Sequence, residues 1–235
     1  GKKRFLNIAY KFVDLITDTF GPQKRFSYPG HEEIELGLIE LYRVTSNRSY
    51  FELAKFFIEQ RGSRPSPLQT ELENLDEQAG GKRRKKAYHK LYFNEEGEYD
   101  GKYVQDHRPV QEQEKLVGHA VRATYFYSAV ADIAMETGDQ ALIQALHRLW
   151  YNMRKKRMYI TGGIGSLHDI EGFSSNFDLP NETAYAETCA AIGNIMWNHR
   201  MFLLTKEAQF IDTLERVLYN GLLSGVSLDG KRFFM

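Results

Sequence analysis

Three threonines, Thr45, Thr137 and Thr205, occupy the same place in one recurring apolar pattern, and that pattern restricts the chain to stacked helical hairpins. Five residues after each threonine stand Tyr50, Leu142 and Phe210, and nine after stand Ala54, Leu146 and Leu214. Twelve after come Phe57, Leu149 and Val217, then Ile58, Trp150 and Leu218, while Tyr42, Ala134 and Phe202 lie three before. Steps of three and four put these residues on one face of a helix on either side of a turn. The turns read Thr-Ser-Asn, Thr-Gly-Asp and Thr-Lys-Glu, and the first two have the residues that stop one helix and start the next. The periodicity predicts helices over 3–19, 31–45, 49–60, 113–136, 139–156, 182–203 and 206–224.

The three anchors are unequally spaced and lie farther apart than the ~34–47 residues of common helical repeats, which argues against a regular solenoid. Long, unequal insertions at 62–112 and 158–182 suit an all-α toroid whose loops build a site on one face. Within the first insertion, the run from Lys82 to Lys86 reads as a solvated loop near the acids of 71–78. Lys plus Arg equals Asp plus Glu at 31 each, so the basic excess of a nucleic-acid binder is missing. The chain contains no apolar run long enough for a transmembrane helix. Its start, Gly1-Lys2-Lys3-Arg4-Phe5, lacks the apolar core of a signal peptide, which gives a cytoplasmic expectation, with the true N-terminus expected upstream. Cys189 is the only cysteine, so no disulfide forms within the chain. Apolar faces on the outermost hairpins leave a homo-oligomer open.

The richest supply of acids, bases and ligands lies between His168 and Cys189. His168, Asp169, Glu171, Glu182, Glu187 and Cys189 all fall here, just after the glycine-rich stretch Thr161-Gly162-Gly163-Ile164-Gly165. That stretch lacks the Gly-Lys-Ser/Thr ending of a phosphate loop. Glycoside hydrolysis needs a proton donor and a second group that attacks or activates water, and a loop carboxylic acid such as Glu171 could be the donor. Taken alone, these residues fit ordinary helix-start acids facing the helix dipole better. Glu187 and Cys189, two apart, would reach one ion only from an irregular or first helical turn, and a lone cysteine in an apolar helix is more often core. His31 and His119 each follow a glycine near a helix start, where a histidine can meet a sugar hydroxyl or equally cap the helix.

Longer motifs narrow these alternatives. Tyr28-Pro29-Gly30-His31-Glu32-Glu33-Ile34-Glu35-Leu36, Asp106-His107-Arg108-Pro109-Val110, Val117 to Ala123, Tyr159 to Gly165, Asp178 to Ala191 and Glu215 to Gly221 appear in the order found in glycoside hydrolase family 127, which the chain resembles over nearly all its length outside part of 62–104. The resemblance implies that residues 1–235 are a partial catalytic domain of an α/α six-hairpin toroid. It implies a retaining glycosidase that removes non-reducing terminal β-L-arabinofuranosyl groups from glycans or glycosides. In that pattern Glu171 is the acid/base, Glu187 and Cys189 are two zinc ligands, and His31 and His119 contact the sugar. A zinc-bound cysteine nucleophile and a further cysteine ligand would lie beyond residue 235, so the chain alone is expected to be inactive. The family reads Phe-Phe-Tyr where this chain has Phe233-Phe234-Met235. Two other readings stay open: a non-catalytic helical-repeat carbohydrate-binding module, and a metal-free glycosidase that uses two carboxylates.

Overall fold

Each threonine of the repeat ends a helix in the same way. The hydroxyls of Thr45, Thr137 and Thr205 donate back to the carbonyls of Leu41, Ile133 and Met201. Each then accepts the amide two residues on, from Asn47, Asp139 and Glu207. The residue between adopts the left-handed conformation in all three turns: Ser46, Gly138 and Lys206. A left-handed residue reverses the chain at a helix C-terminus, and the next residue opens the following helix. Asn47 and Asp139 do so with side chains that accept the amides of Ser49 and of Ala141 and Leu142.

The computed structural model describes residues 3–78, 80 and 89–234. Its helices are α1 (Arg4–Thr19), α2 (Ile34–Thr45), α3 (Arg48–Gln60), α4 (Pro67–Gln78), α5 (His89–Tyr92), α6 (Ala120–Thr137), α7 (Gln140–Lys156), α8 (Thr188–Thr205) and α9 (Ala208–Arg216). Among the described residues there are isolated β-bridges but no strands. The all-α expectation therefore holds.

Helices α2, α6 and α8 lie side by side, and α3, α7 and α9 pack behind them as the second arm of each hairpin. This two-layer arrangement of antiparallel hairpins is that of an α/α toroid. The layers bury Leu38 and Ile39 of α2, Phe51, Phe57 and Ile58 of α3, Leu149 and Trp150 of α7, Trp197 and Met201 of α8, and Phe210 of α9. Trp150 meets Phe210 edge-on at 4.5 Å, and its indole N–H donates to Asn198. Helix α6 is enclosed on several sides, so residues from Ala120 to Ala134 are buried almost without interruption. Near the turn end, buried Asp132 of α6 accepts from Arg43 of α2 at 2.9 Å and from Arg200 of α8 at 2.7 Å, joining the three front helices.

The boundaries differ from expectation at the other end. Helix α6 begins at Ala120 rather than 113, because Gly118 turns at φ +71 and cannot continue a helix. Helix α8 begins at Thr188 rather than 182, after Ala186 at φ +41 and an extended Glu187. The segment expected as one helix over 206–224 splits, with α9 giving way to a π-helical turn at Val217–Leu222. Helix α4 was hidden inside the first insertion. Its start signal was Ser66-Pro67, where the Ser66 hydroxyl accepts the Gln69 amide and proline takes the first helical position. The run Lys82 to Lys86 lies outside the described residues. Among those described, no helix is long and apolar enough to cross a membrane.

Candidate active site

Because the three front helices run in the same direction, their N-termini share the end opposite the threonine turns. The sequence candidates sit there. His31 precedes α2, His119 is the residue before α6, and Glu187 is the residue before α8.

The lacing of two backbones sets His119 against Glu171. The Phe173 amide donates to the Gly118 carbonyl at 2.9 Å, and the Ala120 amide, the first of α6, donates to the Glu171 carbonyl at 3.0 Å. The chains approach so closely that a Cβ on Gly172 would lie 2.2 Å from the Gly118 oxygen. Glu171 itself is left-handed at φ +49, a conformation that costs a non-glycine residue about 1 kcal/mol. The surrounding hydrogen bonds hold it there.

The His119 side chain has a defined tautomer. Its Nδ1 accepts the Arg122 amide at 3.3 Å, so the proton resides on Nε2, which donates to Glu171 Oε2 at 2.9 Å. Burial holds the imidazole below its usual pKa, against the opposing pull of Glu171, so this contact is a hydrogen bond from a neutral ring rather than an ion pair. Tyr185 donates to the other Glu171 oxygen at 3.1 Å. Burial, followed by the bond to Glu171, pushes the Tyr185 phenol above its ordinary range.

Glu187 is buried, and its carboxylate makes no capping bond to α8. Burial raises its pKa, with Glu171 adding to the effect and a Tyr185 hydrogen bond opposing it. One ligand atom each from His119, Glu171 and Glu187 lies within 4.8 Å of the others, an arrangement that could hold a metal ion. Cys189 is not in that set. It occupies the first turn of α8, half-buried, and burial raises its thiol pKa. Glu187 as an extended residue and Cys189 in the first turn meet the condition under which two residues so close in sequence can approach one ion.

His31 lies beside this group, its ring centroid 6.3 Å from those of both His119 and Tyr125. Burial, and then the charge of Arg122, lowers its pKa. Of the remaining candidates, His168 packs edge-on against Tyr185 at 5.1 Å, while Asp169 and Glu182 are exposed and outside the metal-capable set. No sequence pattern assigns a role to Tyr185. It lies inside the longest motif, but an aromatic residue between helices reads first as packing.

The whole chain, residues 1–235, matches the family model described as β-L-arabinofuranosidase, GH127 catalytic domain. It is 37% identical over 236 residues to the non-reducing end β-L-arabinofuranosidase of Bifidobacterium longum subsp. longum, covering 100% of this chain and 34% of that protein. The crystal structure of a GH127 β-L-arabinofuranosidase from Geobacillus stearothermophilus T6 superposes with a TM-score of 0.88 at 45% identity, over 100% of this chain and 35% of the other. The GH127 β-arabinofuranosidase BT3674 gives a TM-score of 0.80 at 43% identity, over 100% and 32%. The chain thus spans about a third of the length of these relatives. With a match along its full length and the same fold in both structures, the chain belongs to the family of GH127 β-L-arabinofuranosidase catalytic domains.

Proposed function

We propose that the complete protein is a retaining glycosidase that removes non-reducing terminal β-L-arabinofuranosyl groups. The observation that carries this reading is the convergence of Glu171, Glu187, His119 and Tyr185 at the N-terminal ends of the front helices. Glu171 is the acid/base. It shuttles a proton between the leaving oxygen and water, and His119 and Tyr185 fix the directions of its two oxygens. His31 and His119 lie against the sugar. The neutral His31 imidazole offers a hydroxyl one donor and one acceptor, while His119, its nitrogens engaged by the Arg122 amide and Glu171, presents its ring edge.

The donor set fits zinc. Glu187 is a buried carboxylate with no capping duty, Cys189 is a thiol in the adjoining first turn, and oxygen and sulfur are both zinc ligands. Glu187 and Cys189 would hold the ion together with ligands from beyond residue 235, among them the cysteine nucleophile. Bound zinc would supply thiolate stabilisation. The chain's own contribution is to orient these two ligands, hold the acid/base and bind the sugar.

A second reading draws on one distance. Glu171 and Glu187 bring carboxylate oxygens within 4.8 Å of each other, close to the ~5 Å separation of retaining enzymes that work with two carboxylates and no metal. The deciding experiment is to purify the complete protein, measure its metal content, and assay p-nitrophenyl β-L-arabinofuranoside while following the anomer released by NMR. Stoichiometric zinc with β-L-arabinofuranose as first product supports the zinc reading. Full activity after metal removal gives the second reading its place, and release of the inverted anomer sinks both.

A further inference from the structure

Behind His31 lies a group of buried charges for which the proposed chemistry has no use. Glu32, Glu35 and Arg61 are almost completely shielded from solvent. Arg61 Nη1 is 3.1 Å from Glu32 Oε1, and Nη2 is 3.8 Å from Glu35 Oε1. Burying an arginine with two acids carries a desolvation penalty that packed apolar side chains would avoid. What such side chains could not do is donate hydrogen bonds in two directions from one rigid plane.

Arg61 makes that use of its plane. Nη2 donates to the Pro29 carbonyl at 2.6 Å, and Nη1 donates to the Val104 carbonyl at 2.8 Å. Pro29 belongs to the turn that presents His31. Val104 follows Tyr103, whose carbonyl accepts the His119 amide at 3.2 Å and whose ring meets the His119 imidazole edge-on at 5.4 Å. Arg122 runs parallel to this link. It donates to the Gly30 carbonyl, and its guanidinium lies 4.9 Å above the Tyr103 ring.

We infer that Arg61, together with Arg122, is a positioning device for sugar recognition: it ties the loop that presents His31 to the loop that seats His119, and so sets the spacing of the two imidazoles. The inference rests on the reading that both histidines meet the sugar. Glu32 and Glu35 face Arg61 inside the protein, at 3.1 and 3.8 Å. The Arg61 and Arg122 charges also disfavour protonation of His31, in keeping with a neutral ring.

The test uses the complete protein and compares R61K and R122K with D132N, which weakens a buried ionic bridge at the far end of the same helices. Lysine keeps the charge but loses the two-directional fork. For R61K and R122K the expected result is a KM for p-nitrophenyl β-L-arabinofuranoside raised about tenfold with kcat within about threefold, the signature of lost ground-state binding. D132N should lower the thermal midpoint and leave KM within about twofold. An unchanged KM in both lysine variants, or an equal rise in D132N, overturns the inference. Crystal structures of the parent and R61K report the spacing directly, whatever the activity. A His31 imidazole displaced by about 1 Å relative to His119 is expected, since errors of that size matter for recognition. Superposable imidazoles would refute the clamp even if the glycosidase reading stood, and an inactive parent with a displaced His31 would count against the glycosidase reading alone.

Discussion

The two ends of the front helices follow different rules. At the C-terminal end, α2, α6 and α8 finish in the same turn three times over: a threonine bonded back to the preceding turn, a left-handed residue, and an amide returned to the threonine. At the N-terminal end no two starts are alike. His31 lies a few residues ahead of α2, His119 caps α6 with its own ring nitrogen, and Glu187 precedes α8 without capping it. The turn end satisfies the backbone groups of its turns locally, and adds one long-range bridge from Asp132 to Arg43 and Arg200. The site end satisfies its polar groups across long sequence separations, as where Glu171 supplies the acceptor for the first amide of α6. Stability is thus built from short-range, repeatable units at one end. At the other, irregular backbone leaves side chains from distant segments free to converge.

This contrast predicts that changes at the site end alter activity out of proportion to stability, and that changes at the turn end do the reverse. Glu171→Gln in the complete protein should lower kcat by about 10²–10⁴-fold with little change in thermal midpoint, because the proton is lost but the shape is kept. A drop of less than tenfold would remove Glu171 from the acid/base role. Gly172→Ala should be the site-end change that damages both properties. The new methyl meets the Gly118 carbonyl at 2.2 Å, so the lacing must open at a cost of more than about 2 kcal/mol. Denaturant midpoints measure it, and a neutral Gly172→Ala would show that the close approach is not needed.

The buried acid behind the site has a pH signature. Burial lifts Glu32 from 4.5 to about 8, with Arg61 and Arg122 opposing the shift. Between these values the folded chain holds a proton that the unfolded chain has released. The stabilisation is therefore complete below 4.5 and lost as pH rises through about 8. Thermal midpoints of the parent should fall relative to those of Glu32→Gln as pH increases across this window, and parallel curves for the two proteins would contradict the assignment. The smallest effect belongs to the turn end. Thr137→Val removes the hydroxyl that bonds Ile133 and Asp139 and should cost about 1 kcal/mol while leaving kcat and KM unchanged. A loss of activity without a loss of stability in this variant would break the contrast.

The sequence determined the turn end almost completely, because the information there is local. Thr137, Gly138 and Asp139 are adjacent residues whose bonds run to one another or one helical turn away, so a periodic reading finds them. The same holds for the core positions that follow each anchor, although the third hairpin buries Leu214 and Leu218 less fully than the first buries Ala54 and Ile58. Motif resemblance named Glu171, Glu187, Cys189, His31 and His119, and the structure brings these residues to one end. What only the tertiary structure decided is the contacts among them. The starts of α6 and α8 depend on Gly118 and Ala186 turning out of helical conformation against partners far along the chain, which helical periodicity cannot register. Tyr185 and Arg61 read from sequence as an aromatic residue near a helix and a charge before a glycine. Their importance comes from what they reach, Glu171 in one case and the Pro29 and Val104 carbonyls in the other. Long-range hydrogen bonds leave no period in the sequence, because their geometry exists only once the layers have packed.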